Sequence, residues 1–445
     1  MTHTVPFALA LRFWTKLGFV SFGGPAGQIA IMHRELVEER RWISERRFMH
    51  ALNYCMVLPG PEAQQLATYI GWLLHGTAGG IAAGALFVLP SLFILIALTW
   101  LYLAFGHLPA IAAVLAGVKP AVVAIVIAAA WRIGSRALRH PVLWVVAGAA
   151  FAALALFAAP FPAVILAAGV VGLAGARLLP QAFAPPRHGS EATGVHEAAV
   201  IDDDTPTPAH AGHSSVRLAV IAATGLALWL AGLGALVAVF GATHDYPAMA
   251  TFFTKAALVT FGGAYAVLPY VLQAAVDQYG WLTAPQMIDG LALGETTPGP
   301  LIMVVAFIGF VGGWTKALLG PAAPFAAGAL GAVVATAFTF LPSFLFILAG
   351  GPLVERTRGD LRLGAPLVAI TAAVVGVMAN LALFLAWKVI LPEATAAAPL
   401  AGREDVFAVA VAAIALFALV RARASVMAVI AAAALAGLAA AFAGL

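Results

Sequence analysis

The sequence predicts an all-α polytopic membrane protein: an inverted-topology internal repeat whose Gly/Pro-broken re-entrant helices meet near the membrane midplane. Three observations carry that prediction. The 445 residues are 63% hydrophobic and 9% charged, and they include repeated apolar runs of about 20 residues that no soluble core of this size needs. A break reading FGGPAGQIA at 22–30 returns as FGGAYAVLP at 261–269. Finally, the loops rich in Lys and Arg change sides between the two copies.

The repeat is read from register. Gly23 pairs with Gly262 at an offset of 239, which holds without a gap for about 50 residues and brings Pro59-Gly60-Pro61 onto Pro298-Gly299-Pro300 and Trp42 onto Trp281. After an insertion of about 13 residues, Leu89-Pro90-Ser91 meets Leu341-Pro342-Ser343. The domains expected are an N-terminal transmembrane repeat (1–179), a polar linker (180–216), a connecting transmembrane helix (217–242) and a C-terminal inverted repeat (243–445).

Taken in chain order, the first apolar segment, 10–31, is broken by Gly23, Gly24 and Pro25 and reads as a hairpin of two half-helices. The loop at 33–50 carries five arginines, whereas its counterpart at 272–289 has no Lys or Arg. The uncharged turn at 102–110 reverses that comparison, because its counterpart contains Arg356, Arg358 and Arg362. Two opposite reversals make the copies antiparallel, the arrangement of many secondary transporters. Segment 48–76 begins and ends on the cytoplasmic side, so it is a second hairpin tipped by Pro59-Gly60-Pro61, and 249–274 is its kind on the other face. Full crossings are expected near 78–105, 109–131, 141–158, 161–178, 217–240, 325–350, 364–388, 403–421 and 424–443. The alternative, a plain hydropathy count, gives about thirteen spans in place of nine crossings and four hairpins.

The linker is Pro-rich and aperiodic, and the spacing of His188, His196, His210 and His213 within it is irregular, as in a solvated segment; no metal site is expected there. One cysteine, Cys55, excludes an internal disulfide and a multi-thiolate metal centre. The basic clusters sit in short loops between apolar segments, so the net charge of +4 speaks to topology and not to nucleic acid.

A Gly/Pro break in mid-membrane frees backbone groups that lipid cannot satisfy, so it should face protein or a water-filled cavity. The half-helix that follows aims its N-terminal amides at the tip, an arrangement suited to an anion. The substrate-binding candidates are therefore Lys16, Ser21, Gly23, Gly24, Pro25, Asn53, Pro59, Gly60, Pro61 and Gln64 in the first half. In the second they are Lys255, Thr260, Gly262, Gly263, Thr296, Thr297, Pro298, Gly299 and Pro300. Gln65, Ser91 and Ser343 are further neutral donors near the breaks. Glu62 and Glu295 beside the Pro-Gly-Pro tips are candidate proton carriers, since a carboxylate at that depth is costly unless paired or protonated.

The stretches SFGGPAGQIA, LPGPEAQQLATYIGW and ETTPGPL, with LPS following each, resemble the signatures of the chromate ion transporter family over nearly the whole chain outside the linker. That resemblance implies a bacterial inner-membrane, multi-pass exporter of chromate, in some members tied to sulfate, with antiparallel halves; the N-terminus and linker would be cytoplasmic. It leaves a homodimer open. The second half reads GGAY where the first reads GGPA, so the two tips need not act alike. No G-x-x-x-x-G-K-[ST] stretch, H-E-x-x-H or G-x-S-x-G occurs, which argues against an ATPase or intramembrane enzyme, and no cofactor is expected. Export of a dianion from a negative interior is favourable by roughly 4.6 kcal/mol per 100 mV, so membrane potential alone would suffice, with or without proton antiport. A passive anion channel would use the same breaks.

Overall fold

The computed structural model describes residues 5–22, 24–184, 199–205, 212, 214–261, 264–356, 364–391 and 405–443. Gly23, Gly262, Gly263, Arg358, Arg362 and the four linker histidines lie outside them. The described chain is helical apart from one isolated bridge between Ile43 and Ile201.

The first half comprises α1 (Phe7–Val20), α2 (Gly24–His33), α3 (Glu45–Val57), α4 (Glu62–Phe105), α5 (Pro109–Ala137), α6 (Pro141–Phe157) and α7 (Phe161–Leu178). After the linker come α8 (Ser215–Phe240), α9 (Asp245–Leu258), α10 (Ala264–Gln273), α11 (Ala284–Thr296), α12 (Val304–Thr315), α13 (Pro324–Arg356), α14 (Gly364–Ile390), α15 (Val406–Val420) and α16 (Val426–Phe442). Among the described residues six helices are long and apolar enough to cross a membrane: α4, α5, α7, α8, α13 and α14. Large apolar side chains such as Trp144, Leu156, Ile414 and Phe417 point outward, and α8 buries only Gly225, as suits helices solvated by lipid.

Pairs of short helices flank each break, and at each the chain doubles back. Lys16 on α1 reaches Glu35, just beyond α2, at 2.9 Å, although a straight helix would hold these positions about 28 Å apart. The Tyr54 and Tyr69 rings, on α3 and α4, lie 6.0 Å apart. Phe252 and Tyr270, on α9 and α10, are separated by 5.4 Å. Gly290 of α11 abuts the Phe307 ring of α12. Backbone signals set the ends: the Ser44 hydroxyl caps α3, Thr283 and Gln286 form a capping box on α11, and Pro59-Gly60-Pro61 stops α3 before α4 begins. Within α4 the backbone leaves helical geometry at His75 and Gly76, splitting a short arm (62–74) from a long one, at the boundary expected between hairpin and crossing.

The long arm of α4 packs head to tail on α13. Gly80 meets Leu348, Gly84 meets Phe344, and the Trp100 and Phe325 rings sit 6.1 Å apart at the far end. Glycines at the contact let the backbones approach. The pair crosses beside the two Leu-Pro-Ser segments, with Ser91 and Ser343 both fully buried.

Part of the linker is docked, against the expectation of a free solvated segment. Val200 and Ile201 donate to the carbonyls of Arg41 and Trp42, and Ser44 donates through its amide to Ile201 and through its hydroxyl to Asp203. Arg47 donates to the Thr205 carbonyl at 2.8 Å. The backbone edge left open between the helix ending at Glu39 and α3 supplies these unpaired groups, and the linker satisfies them.

Candidate functional site

The tips of the hairpins from opposite halves bond to one another. The Gly60 amide donates to the Thr260 carbonyl at 2.8 Å, and the Gly299 amide donates to the Ser21 carbonyl at 2.8 Å. These are the same bond written twice, because residues 60 and 299, like 21 and 260, are equivalent at the offset of 239. The surroundings repeat as well: Gly60 faces the Ser343 hydroxyl and Gly299 faces Ser91, so each Pro-Gly-Pro tip lies against the Leu-Pro-Ser segment of the other half.

Polar atoms without partners collect here. The Ser91 and Ser343 hydroxyls and the side-chain carbonyl oxygens of Gln28, Gln64 and Gln65 are buried and unpaired. The amide nitrogens of the same glutamines are engaged: Gln64 donates to Thr68, Gln65 to the Pro59 carbonyl, and Gln28 to the Gly299 carbonyl at 2.5 Å. Orphaned buried polar groups are costly, and a cluster of them marks a place that water or a polar ligand completes.

The sequence candidates are distributed unevenly about this cluster. Gly60, Pro61, Gln64, Gly299 and Pro300 are buried within it, and Pro59 and Pro298 flank the glycines. Ser21 and Thr260 contribute carbonyls; their hydroxyls donate back to Leu17 and Ala256 in their own helices. Thr296 and Thr297 likewise donate to Leu293 and Gly294, so four expected hydroxyl donors are spent locally. Gly24 opens α2 with Tyr265 nearest to it, Pro25 follows half-buried, and Asn53 is half-buried on α3.

The lysines stand apart. Lys16 is more than half exposed and paired to Glu35, which also accepts from Arg40 at 3.0 Å; Lys255 is exposed on α9. Burial pushes the Glu35 carboxyl up, but the two cations outweigh it and hold it below the usual carboxylate range. Glu62 is the first residue of α4, where the helix dipole favours its charge. Glu295 is buried and accepts a 2.8 Å hydrogen bond from the Tyr265 hydroxyl, beside Gly24.

Three features escaped the motif reading. Gln28 ties the Ser21 carbonyl to the Gly299 carbonyl and has Val267 as its counterpart, and Tyr265 has Ala26, so nothing in the repeat pattern marked either. The third is a charged cluster away from the tips. Lys119 of α5 lies 3.2 Å from Asp289 of α11, whose other oxygen accepts from the Tyr102 hydroxyl of α4 at 2.9 Å. Lys119 is the lone charge in the apolar stretch 109–131, which was a legible signal.

A family model described as chromate transporter matches residues 8–173 and 247–438. A chromate transport protein of Pseudomonas aeruginosa is 35% identical over 381 residues, covering 85% of this chain and 80% of its own length. One from Cupriavidus metallidurans is 29% identical over 401 residues, covering 88% and 87%. An uncharacterized transporter of Methanocaldococcus jannaschii is 24% identical over 381 residues, with 84% of each chain covered. No solved structure matches.

Proposed function

Because the chain belongs to the chromate transporter family, we propose that it is a secondary transporter that moves chromate out of the cytoplasm of a bacterial cell across the inner membrane. Transport would occur at the contact between the two sets of hairpin tips, with membrane potential as the driving force and proton antiport through Glu295 and Glu62 as an added one. The observation that carries this reading is the reciprocal pair of tip bonds, Gly60 to Thr260 and Gly299 to Ser21, enclosing unpaired Ser91 and Ser343 hydroxyls. Hydroxyl donors and the starts of half-helices suit a tetrahedral oxyanion without placing a bare cation in the site. The head-to-tail packing of α4 on α13 supports an inverted repeat, and the four chain reversals support re-entrant hairpins.

Purified protein in liposomes should show saturable chromate uptake with counterflow, reduced by sulfate to the extent that the site reads shape and charge alone. Large unitary currents without counterflow would instead make it an anion channel. Topology has its own test. Glu39 and Gln278 are equivalent and both exposed, so single cysteines at these positions should react with impermeant reagents from opposite sides of the membrane. Reaction from one side would remove the inverted repeat.

A further inference from the structure

The Tyr102–Lys119–Asp289 cluster lines a cavity of about 310 Å³ that also takes in Leu103, Gly106 and His107 at the turn between α4 and α5. That volume equals on the order of ten waters, ample for a tetrahedral oxyanion with part of its hydration. Its Asp289 shares α11 with Glu295, which follows six residues later, about 9 Å along the helix. It opens beside the uncharged α4–α5 turn, at the other end of α5 from Arg132, Arg136 and Arg139.

We propose that this cavity is an exit subsite for the transported oxyanion, with Lys119 as its cation and Asp289 as a built-in competitor that occupies Lys119 whenever the subsite is empty. The proposal rests on the reading of the chain as an oxyanion exporter. Lys119 is partly exposed and has three N–H donors, and the Asp289 oxygen 3.2 Å away accepts none of them in hydrogen-bond geometry, so the pair is held by charge. A dianion in the cavity gains this ammonium and the neighbouring His107 side chain, a second donor, and must displace Asp289 from whichever side it arrives. Asp289 is nearly fully buried, and the Tyr102 hydroxyl fixes its other oxygen, so it stays aimed at Lys119. The pair thus keeps the subsite weak, so that an oxyanion passing through it is readily released.

The test places a cysteine at Ala112, which lines the cavity, and follows its labelling by a thiol reagent with sulfate in the external medium. Sulfate replaces chromate because chromate oxidises thiols, and the native Cys55 is buried. Half-maximal slowing of the labelling should need at least roughly fivefold less external sulfate in A112C/D289N than in A112C, since removing one like charge about 4 Å away is worth that factor in affinity even at the dielectric of water. Adding K119Q should abolish the protection. D289A, which removes the same charge, serves if D289N does not fold. Absence of protection in both D289N and D289A, or its persistence after K119Q, overturns the subsite. Chromate counterflow in the same backgrounds without the A112C change separates the two readings: counterflow without protection removes the subsite alone, and protection without counterflow removes the transport reading.

Discussion

Valine in place of Gly299, or of Gly60, is expected to reduce chromate flux by about 25- to 700-fold while the protein still inserts and remains monodisperse. Both glycines have positive φ, 99° and 127°, where a β-branched residue costs about 1–3 kcal/mol of backbone strain. Each also lacks room: a β-carbon on Gly60 would overlap Ser343 and Gln65, and one on Gly299 would overlap Ser91. Relief requires the tip to move, which breaks the amide bond to Thr260 or Ser21 and adds about 1 kcal/mol. At 1.4 kcal/mol per tenfold, the combined disturbance yields the stated range when it falls on the transport step. Gly241 provides the control, since its φ of 92° imposes the same strain in open space far from the tips. Flux in G241V should stay near wild type. Normal flux in both tip variants would reduce the breaks to packing devices.

The second large effect is expected from the acids. If the site exchanges a proton for each oxyanion, a gradient of one pH unit multiplies the chromate accumulation ratio about tenfold, and Glu295→Gln removes that factor while oxyanion binding stays measurable. Glutamine keeps the bond from Tyr265, so the change isolates the proton from the packing. Glu62→Gln should produce a weaker defect, because a carboxylate opening α4 also answers the helix dipole whatever its role in transport. The acids occupy non-equivalent positions, facing Leu301 and Met56 in the repeat alignment, so the two defects need not match. Full dependence on the pH gradient in the double variant would make membrane potential the sole driving force.

Much of the scaffold was legible because lipid leaves the backbone few choices. Apolar runs announced the long helices, and Pro-Gly-Pro announced where α3 and α11 stop. The repeat register made 60 equivalent to 299 and 21 to 260, although it did not foresee that Gly60 bonds Thr260 and Gly299 bonds Ser21. Side-chain direction was not legible. Ser21, Thr260, Thr296 and Thr297 are the right chemistry at the right depth, yet a hydroxyl one turn from a helix end finds its own carbonyl first. Lys16 illustrates the same limit, because its partner Glu35 comes within reach only once the chain has doubled back. Gln28 was hidden for the opposite reason, standing where the two halves differ, and Tyr265 was met only as the departure of GGAY from GGPA, with no partner to give it a role.

The reciprocal tip bonds carry a kinematic consequence. Two latches that recur at one sequence offset, each joining a tip of one half to the break of the other, cannot be released by pivoting about either latch alone, because turning on one strains its twin. Gln28 bonds across the Ser21–Gly299 latch, whereas Gln65 holds the Pro59 carbonyl beside the Thr260–Gly60 one, so each latch is braced by a different side chain with no counterpart in the other half. The two latches repeat, but their braces do not.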